Sequence, residues 1–354
     1  GFGPFAVRSY TKERDRAAGV VAGRSGGGRG TMADQSDGRL RVFVASTFLD
    51  AVREELSAAF EIHEAVGDDP LAAIAASSLD FDAVLFSLDV RMDAARIEAF
   101  PATVRALATY SVGTDHIDLD AARRRGIAVF NTPGVLADSV AENALFLMLG
   151  AARRATESAA LLRSRQWTGW TPTQLVGVHL GGRRLGILGM GDIGRRIAAR
   201  SAAFGMEISY CNRQPVAEPP VVDARFVETP AALVAESDVL MIACPSTVET
   251  RGLVDAELLA CAKPGLLVVN IARGDIVVDD ALLAALEDGR VGAAGLDVFA
   301  GEPDIDPRYF ERPDVFMMPH IGSSTIEARL GMGRILIEAL SRWQAGKSVT
   351  NRVV

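Results

Sequence analysis

Three side chains suited to acid–base chemistry lie in order in the last quarter of the sequence. They are Arg273 in VVNIARGD, Glu302 in AGEP and His320 in MPHIGSST. Each follows the predicted end of a parallel β-strand, at the edge where open α/β sheets place their ligands. A guanidinium can hold a carboxylate, an imidazole can protonate a nascent alkoxide, and a carboxylate can orient that imidazole. Singly, each residue has an ordinary structural explanation, but their order and flanking residues together predict a site that reduces a 2-keto acid.

A glycine-rich segment, RLGILGMGDIGRRIA, predicts a site for a dinucleotide. A buried strand over residues 184–188 runs directly into Gly189-x-Gly191-x-x-Gly194 and then into a helix. The first glycine permits a tight turn, the second lets the backbone approach a pyrophosphate, and the third lets the helix pack close to the strand. The phosphates would then meet the positive end of that helix. GxGxxG alone is weak evidence in a chain with 34 glycines, but the strand–turn–helix context makes it strong.

The strand after the glycine motif ends at Asn212 and Arg213. An enzyme that uses NAD needs an Asp or Glu here to bind the ribose hydroxyls, and that carboxylate would repel a 2′-phosphate. A neutral Asn212 followed by a cationic Arg213 favours that phosphate instead. The sequence therefore predicts NADP, with NADPH preferred over NADH. The open alternative is that Arg213 is a solvated surface residue and the enzyme uses both NADP and NAD.

Composition excludes several other classes of protein. The net charge is −8 and no long basic stripe occurs, which is evidence against binding to nucleic acid or to an anionic membrane. No apolar run approaches the ~20 residues of a membrane span. The three cysteines lack metal-binding spacing and the four histidines are scattered, so no metal site is expected. A low cysteine content also fits a reduced, cytoplasmic protein.

The elements that must position these residues alternate between β-rich runs and helical stretches, as in parallel sheets covered by helices. The first block predicts a helix over residues 50–60 and strands over 40–45, 82–87, 104–109 and 127–131. The second block predicts strands over 184–188, 207–210, 239–243, 266–271, 293–297 and 315–318. Further helices are predicted over 138–154, after Thr229-Pro230, over 279–286 and over 324–345, and a tryptophan-bearing loop over 166–172. The expected fold class is α/β, with two Rossmann-like, doubly wound parallel-sheet domains separated by an active-site cleft.

The predicted domains are unequal. Residues 39–132 together with 319–354 should form a flavodoxin-like, substrate-binding domain, and residues 133–318 the dinucleotide-binding Rossmann domain. Residues 1–38 are expected to be a disordered leader, since their first part is rich in glycine and arginine and has no apolar period. A transit peptide is the alternative, although Glu13 and Asp15 are evidence against it.

From about Leu40 onward the chain resembles the D-isomer-specific 2-hydroxyacid dehydrogenases. The matching motifs, in the family's order, are YSVGTDHIDL, NTPGVLADSVAENAL, LGILGMGDIG, VNIARGDIV, GLDVFAGEP and PHIGSST. The resemblance implies that Arg273 binds the substrate carboxylate and carbonyl, that His320 is the acid/base, and that Glu302 hydrogen-bonds the histidine. A carboxylate partner would orient the imidazole and keep it protonated for reduction near neutrality.

The resemblance also implies binding residues for substrate and cofactor. The backbone at Val112 and Gly113 would cradle the substrate carboxylate, and Asp297 would meet the nicotinamide carboxamide. A homodimer built through the nucleotide domain is expected, with a small 2-keto or 2-hydroxy acid as the other partner. The full set of expected cofactor contacts is Gly189, Gly191, Asp192, Ile193, Gly194, Asn212, Arg213, Cys244, Pro245, Thr250, Ile271, Ala272, Arg273, Asp297, His320 and Gly322.

The segment WTPTQLVGVHL, which starts at Trp170, is similar to one in glyoxylate/hydroxypyruvate reductases. There a tryptophan reaches into the active site of the neighbouring subunit. The alternative is that Trp167 and Trp170 only pack an interface. The expected reaction is therefore NADPH-dependent reduction of glyoxylate or hydroxypyruvate to the D-2-hydroxy acid.

Two alternatives remain open at this point. Another 2-keto acid, such as 2-ketogluconate or an aryl pyruvate, could be the substrate. A more distant alternative is a dinucleotide-sensing, corepressor-like binding protein, because such proteins share the fold and even the three catalytic side chains.

Overall fold

The structure is a computed structural model that describes residues 38–354 except 66–68, 73, 75–79 and 222. The predicted leader lies outside the described residues, apart from Gly38. The described chain from residue 39 onward contains two parallel β-sheets with helices packed on them. The predicted α/β fold class is confirmed.

The first sheet has five parallel strands in the order β2-β1-β3-β4-β5. Its central strands are continuous apolar runs such as AVLF and ALAT, buried at every position because helices cover both faces. The strands are β1 (Arg41–Val44), β2 (Glu61–Glu64), β3 (Ala83–Phe86), β4 (Ala106–Thr109) and β5 (Ala128–Phe130), and the helices between them are α1 (Asp50–Ala59), α2 (Ala94–Ala99) and α3 (Leu119–Arg124).

The second sheet has seven parallel strands in the order β12-β11-β10-β9-β6-β7-β8. The strands are β6 (Arg184–Leu188), β7 (Glu207–Cys211), β8 (Arg225–Phe226), β9 (Val239–Ile242), β10 (Leu266–Asn270), β11 (Val291–Leu296) and β12 (Val315–Met317). The helices between them are α6 (Asp192–Ala203), α7 (Pro230–Glu236), α8 (Ala256–Ala260) and α9 (Asp279–Glu287). The strand order reverses between β6 and β9, and open α/β sheets bind ligands in the crevice at such a point.

The helix expected over residues 138–154 is present, and a second helix that was not expected follows it. The first, α4 (Ala137–Ala152), ends where Arg154 adopts a left-handed backbone conformation (φ 54°), and α5 (Ala155–Arg163) follows. The first of these packs tightly on the second sheet, since a Cβ on Gly295 of β11 would lie 2.7 Å from the Leu147 carbonyl oxygen. The predicted tryptophan loop comes after α5, not directly after α4.

The last helix, α10 (Ile326–Gln344), returns to the first sheet as expected. It packs on α1, where a Cβ on Gly333 would lie 2.7 Å from a Val52 methyl carbon, and Arg334 pairs with Glu55 at 2.7 Å. The side-chain hydroxyl of Thr325 caps its N-terminus by accepting from the Ala328 N–H. The segment before α10 therefore crosses from the second sheet to the first, and it carries His320.

Candidate active site

The carboxyl ends of β10, β11 and β12 bring the three predicted catalytic side chains to one edge of the second sheet. The three strands are adjacent and parallel, with Asn270 opposite Leu296 and Leu296 opposite Met317. Arg273, Glu302 and His320 lie in the loops that follow these strands. Parallel pairing places the ends of the strands together, so residues far apart in sequence converge.

His320 and Glu302 form a direct pair. The imidazole Nδ1 lies 2.5 Å from Glu302 Oε1, and the other carboxylate oxygen accepts from the Phe299 N–H at 3.1 Å. Burial acts to raise the pKa of the Glu302 carboxyl, but His320, the Phe299 N–H and the charge of Arg273 lower it below its ordinary value. The carboxylate is therefore ionised near neutral pH and accepts a hydrogen bond from the imidazole Nδ1. His320 Nε2 has no hydrogen-bond partner in the described part of the chain, which leaves it to serve a substrate.

A buried carboxylate, Asp297, holds the loop that carries His320. Its two oxygens accept from the N–H groups of Ile321 and Gly322, each at 2.9 Å, and its carbonyl accepts from the His320 N–H at 2.8 Å. His320 itself has a left-handed backbone conformation (φ 51°), which is uncommon for a residue with a side chain. Such conformations persist only where surrounding contacts determine them, and Asp297 supplies those contacts.

Arg273 lies in a turn that closes on Asn270 at the end of β10. The Asn270 side chain accepts from the Ala272 N–H at 3.0 Å and donates to the Arg273 carbonyl at 2.9 Å. The glycine that follows has no room for a Cβ, which would collide with the backbone of Phe299. Gly274 therefore lets this turn pack against the loop that leads to Glu302.

The predicted carboxylate cradle lies opposite, in the loop after β4 of the first sheet. The Gly113 carbonyl accepts from the Ser111 hydroxyl at 2.7 Å, and the Val112 carbonyl accepts from the Asn131 side chain at 2.9 Å. The N–H groups of Val112 and Gly113 donate to no acceptor among the described residues. Two fixed, unused N–H donors suit an anionic oxygen. The guanidinium of Arg273 lies so close to Gly113 that a Cβ there would collide with Nη2.

The glycine turn lies at the reversal of strand order in the second sheet. Gly189 has φ 100° and lies against the backbone of Cys244 after β9, while a Cβ on Gly194 would collide with the Gly189 carbonyl oxygen. A Cβ on Gly191 would instead meet nothing within 4 Å. The turn is thus closed on its protein side and open toward solvent beside the first N–H groups of α6, which fits a bound pyrophosphate.

Asn212 and Arg213 flank this turn at the end of β7. The Asn212 side-chain oxygen accepts from the Met190 N–H at 2.7 Å, so it holds the glycine turn. Arg213 is exposed and makes no hydrogen bond or ion pair within the described residues. The charge of Arg213 acts on the nearby Glu249 carboxyl and lowers its pKa, and the exposed guanidinium still fits an additional phosphate.

The other expected cofactor residues lie around the same crevice. Burial raises the pKa of the Cys244 thiol to about 11, so it stays protonated and is not a nucleophile at neutral pH. The Pro245 carbonyl accepts from the Thr250 hydroxyl at 2.6 Å, which shapes the loop after β9. Asp192 and Ile193 begin α6, whereas Ile271 and Ala272 lie in the turn before Arg273.

Comparison with known proteins identifies the family. Residues 145–322 match the family described as D-isomer specific 2-hydroxyacid dehydrogenase, NAD binding domain. A glycerate dehydrogenase from Hyphomicrobium methylovorum is 40% identical over 77% of this chain and 88% of its own length. A glyoxylate reductase from Thermococcus litoralis is 38% identical over 77% of this chain and 84% of its own length. The chain belongs to the D-isomer-specific 2-hydroxyacid dehydrogenase family.

A solved structure gives the same result for the fold of this dehydrogenase. It is the NADPH-dependent glyoxylate/hydroxypyruvate reductase of Sinorhizobium meliloti, in complex with NADP and malonate. It is 30% identical, covers 89% of this chain and 97% of its own, and superposes with a TM-score of 0.81. The dehydrogenase is therefore an NAD(P)-dependent enzyme that resembles glyoxylate reductases, and the binding-protein alternative is not retained. No helix in the described ranges is long and apolar enough to cross a membrane.

Sequence reasoning missed one acidic residue of the dehydrogenase's cleft. Asp115 follows the predicted cradle by two residues, and its carboxylate accepts from Arg273 Nε at 3.0 and 3.1 Å. The next residue, His116, is largely buried, which lowers its pKa to about 4 although the Asp115 charge acts to raise it. The signal in the sequence was weak: an acidic residue, Asp115, two positions after a glycine, Gly113, that is expected to bind an anion.

The two tryptophans of the dehydrogenase's polar loop are exposed. Trp170 is 79% exposed, and Trp167 is 51% exposed and donates to Gln174.

Proposed function

We propose that this dehydrogenase reduces glyoxylate or hydroxypyruvate to the D-2-hydroxy acid with NADPH. The observation that carries the proposal is the cleft itself, where His320 and Glu302 face the Arg273 guanidinium and the unused N–H groups of Val112 and Gly113. These groups match, one for one, the requirements for holding a small carboxylate and protonating the oxygen beside it.

In this mechanism Arg273 and the Val112 and Gly113 N–H groups hold the substrate carboxylate and align the keto group. The nicotinamide, when bound, supplies a hydride to C2. His320 donates a proton from Nε2 to the carbonyl oxygen, so hydride plus proton convert the C=O group to CH–OH. Glu302 stabilises the protonated imidazole beforehand and orients its ring through Nδ1.

For the cofactor, we propose that Arg213 pairs with the 2′-phosphate of NADPH and that Gly191 and Gly194 permit the approach of the pyrophosphate. The remaining expected contacts, Asp297 and Gly322 among them, are proposed for the same cofactor, and both of these residues are buried. Both carboxylate oxygens of Asp297 already accept from the backbone N–H groups of residues 321 and 322. A contact with the nicotinamide would be additional to these hydrogen bonds.

The organisation of the whole protein is part of the proposal. The substrate-binding domain comprises residues 39–132 and 319–354, and the dinucleotide-binding domain residues 133–318. The protein acts as a cytoplasmic homodimer in which Trp170 of each subunit completes the active site of the other. Exposure of Trp170 in a single chain supports this arrangement.

A second candidate is supported by the glycerate dehydrogenase relative. Glycerate is the product of hydroxypyruvate reduction, so the same site would serve oxidation of D-glycerate. In this candidate the preferred reaction is the oxidation of D-glycerate, and hydroxypyruvate is a better substrate for reduction than glyoxylate.

The deciding experiment follows the loss of absorbance of the reduced nicotinamide with glyoxylate, hydroxypyruvate and 2-ketogluconate, each with NADPH and NADH. Fast oxidation of NADPH with the two small acids is the expected result. Turnover of hydroxypyruvate but not of glyoxylate, together with a gain of this absorbance when D-glycerate and the oxidised cofactor are supplied, would favour the second candidate. Activity with 2-ketogluconate alone would refute the proposed substrates.

A further inference from the structure

Asp115 faces Arg273 across the cleft between the two sheets. Arg273 follows β10 of the second sheet, whereas Asp115 lies in the loop after β4 of the first. Its two carboxylate oxygens accept from Arg273 Nε at 3.0 and 3.1 Å, and Oδ1 lies 3.0 Å from Arg273 Nη2. The side chains are 23% and 33% exposed, so both are shielded from much of the solvent.

These contacts fix the orientation of the guanidinium. An arginine has five N–H donors in a rigid plane, so holding one edge determines where the other edge points. Asp115 holds the Nε edge of Arg273, and Nη1 donates to the Ala272 carbonyl at 2.7 Å. Nη2 lies against Gly113, which leaves the Nη donors beside the carboxylate cradle.

The segment that follows Asp115 is itself held in place by Met92 and Thr109. The Met92 N–H donates to the His116 carbonyl and the Asp118 N–H donates to the Met92 carbonyl, both at 2.8 Å. The His116 ring is largely buried and contacts the Thr109 hydroxyl through Nε2 at 3.0 Å. The carboxylate is thus presented to Arg273 from a rigid loop.

Charge alone does not explain the placement of this carboxylate. Burial acts to raise the pKa of Asp115, but the hydrogen bond and charge of Arg273 lower it below its ordinary value, so Asp115 is ionised. An anion next to Arg273 reduces its attraction for an anionic substrate. The carboxylate is compatible with substrate binding only if its geometric effect outweighs that repulsion.

We infer that Asp115 is a positioning residue, which fixes the Arg273 guanidinium so that its Nη donors meet the substrate carboxylate next to Val112 and Gly113. The inference rests on the proposed function of Arg273 and assigns to the first sheet a role in aligning a side chain of the second.

The first test measures kcat and KM for glyoxylate and KM for NADPH in Asp115→Ala and Asp115→Asn. A misaligned catalytic group costs up to about 100-fold, so we expect kcat/KM for glyoxylate to fall about 10- to 100-fold in the alanine variant. The asparagine variant, which keeps an acceptor oxygen, should recover much of that loss. KM for NADPH should stay unchanged in both. Asp120→Asn is the matched control, because Asp120 is exposed and pairs only with Arg123.

The second test repeats Asp115→Ala in an Arg273→Lys background, with thermal unfolding as a check of folding. If Asp115 acts through the Arg273 guanidinium, the added substitution should change kcat/KM by less than about twofold there. If the full loss of kcat/KM persists in the Arg273→Lys background, Asp115 has a structural role and the inference is overturned.

Binding of oxalate, a non-reactive dicarboxylate, separates the inference from the proposed function. Weaker oxalate binding in Asp115→Ala than in the unchanged protein is expected whether or not glyoxylate is turned over. Absence of turnover in the unchanged protein would refute the proposed function, while equal oxalate affinity in both proteins would refute the inference.

Discussion

At the scale of single residues, the site depends on carboxylates that prepare other groups. Glu302 orients the His320 ring through its contact with Nδ1, and Asp297 holds His320 in a left-handed backbone conformation. Neither carboxylate needs to touch the substrate for these effects. The chemistry of the cleft therefore depends on the partners of the catalytic side chains as much as on those side chains.

His320→Ala should lower kcat for the keto acid by about 10²–10⁴-fold, the usual range for loss of a general acid. KM for NADPH should change less than kcat, since the glycine turn proposed to hold the pyrophosphate is unaltered. Steady-state kinetics measures both values, and His63→Ala in the edge strand β2 is the control. Turnover close to that of the unchanged protein would refute the assigned role.

Cofactor choice can be reversed at two neighbouring positions. Arg213→Glu should raise KM for NADPH far more than KM for NADH, because it replaces the cation proposed to bind the 2′-phosphate. Asn212→Asp should shift preference in the same direction without loss of stability, since an aspartate keeps the oxygen that accepts from the Met190 N–H. Equal changes with both cofactors would remove the argument for NADPH.

At the scale of elements, the strand–turn–helix unit of β6 and α6 contains glycines that are needed for different reasons. Gly194 lies against the Gly189 carbonyl, so it is required for the turn to fold. A Cβ on Gly191 would meet only open space, so the protein itself has room for a side chain there, and in our proposal the ligand is what requires this glycine. The two positions separate folding from binding.

Gly191→Ala should weaken NADPH binding at least about tenfold with an unchanged melting temperature, because the new methyl group occupies space that the pyrophosphate needs. Gly194→Ala should weaken binding and also lower the free energy of unfolding by about 1–3 kcal/mol, as expected for overpacking. Nucleotide fluorescence titration and thermal unfolding distinguish the two. A destabilised Gly191→Ala variant would contradict the assignment of the open side of the turn.

At the scale of the whole molecule, the active site is assembled from both sheets. The second sheet contributes Arg273, Glu302 and His320, and the first contributes Asp115 and the cradle at residues 112–113. In our proposal, the exposed Trp170 also contributes to the active site of a second subunit. An active site shared in this way requires the correct relative placement of each part.

Mixing two inactive variants tests whether Trp170 acts across subunits. His320→Ala and Trp170→Ala should each be impaired alone, the tryptophan variant mainly through a higher KM for the keto acid. A mixed dimer would contain one intact site, with His320 from one subunit and Trp170 from the other. Co-refolding the two variants should therefore restore activity, and no restoration would mean that Trp170 acts within its own chain or only packs an interface.

Local patterns in the sequence were sufficient for most of the second sheet and for the order of the catalytic residues. Continuous apolar runs such as LLVVN predict buried parallel strands, and Arg273, Glu302 and His320 each follow one of them. Two edge strands, β2 and β8, were missed because they lack this pattern, whereas the edge strands β5 and β12 were predicted. The polar run EIHE of β2 pairs with one neighbour only, and β8 has two residues.

The sequence by itself thus determined the fold class and predicted the dinucleotide turn and the candidate catalytic side chains, because each motif consists of residues that are neighbours along the chain. Only the tertiary structure revealed that Asp115 orients toward Arg273, 158 residues away, and that Asp297 holds the His320 loop. These partners meet because separate loops converge at the carboxyl ends of two different sheets. No local period or motif encodes such a contact, since its strength depends on distance and burial, which exist only in the folded chain.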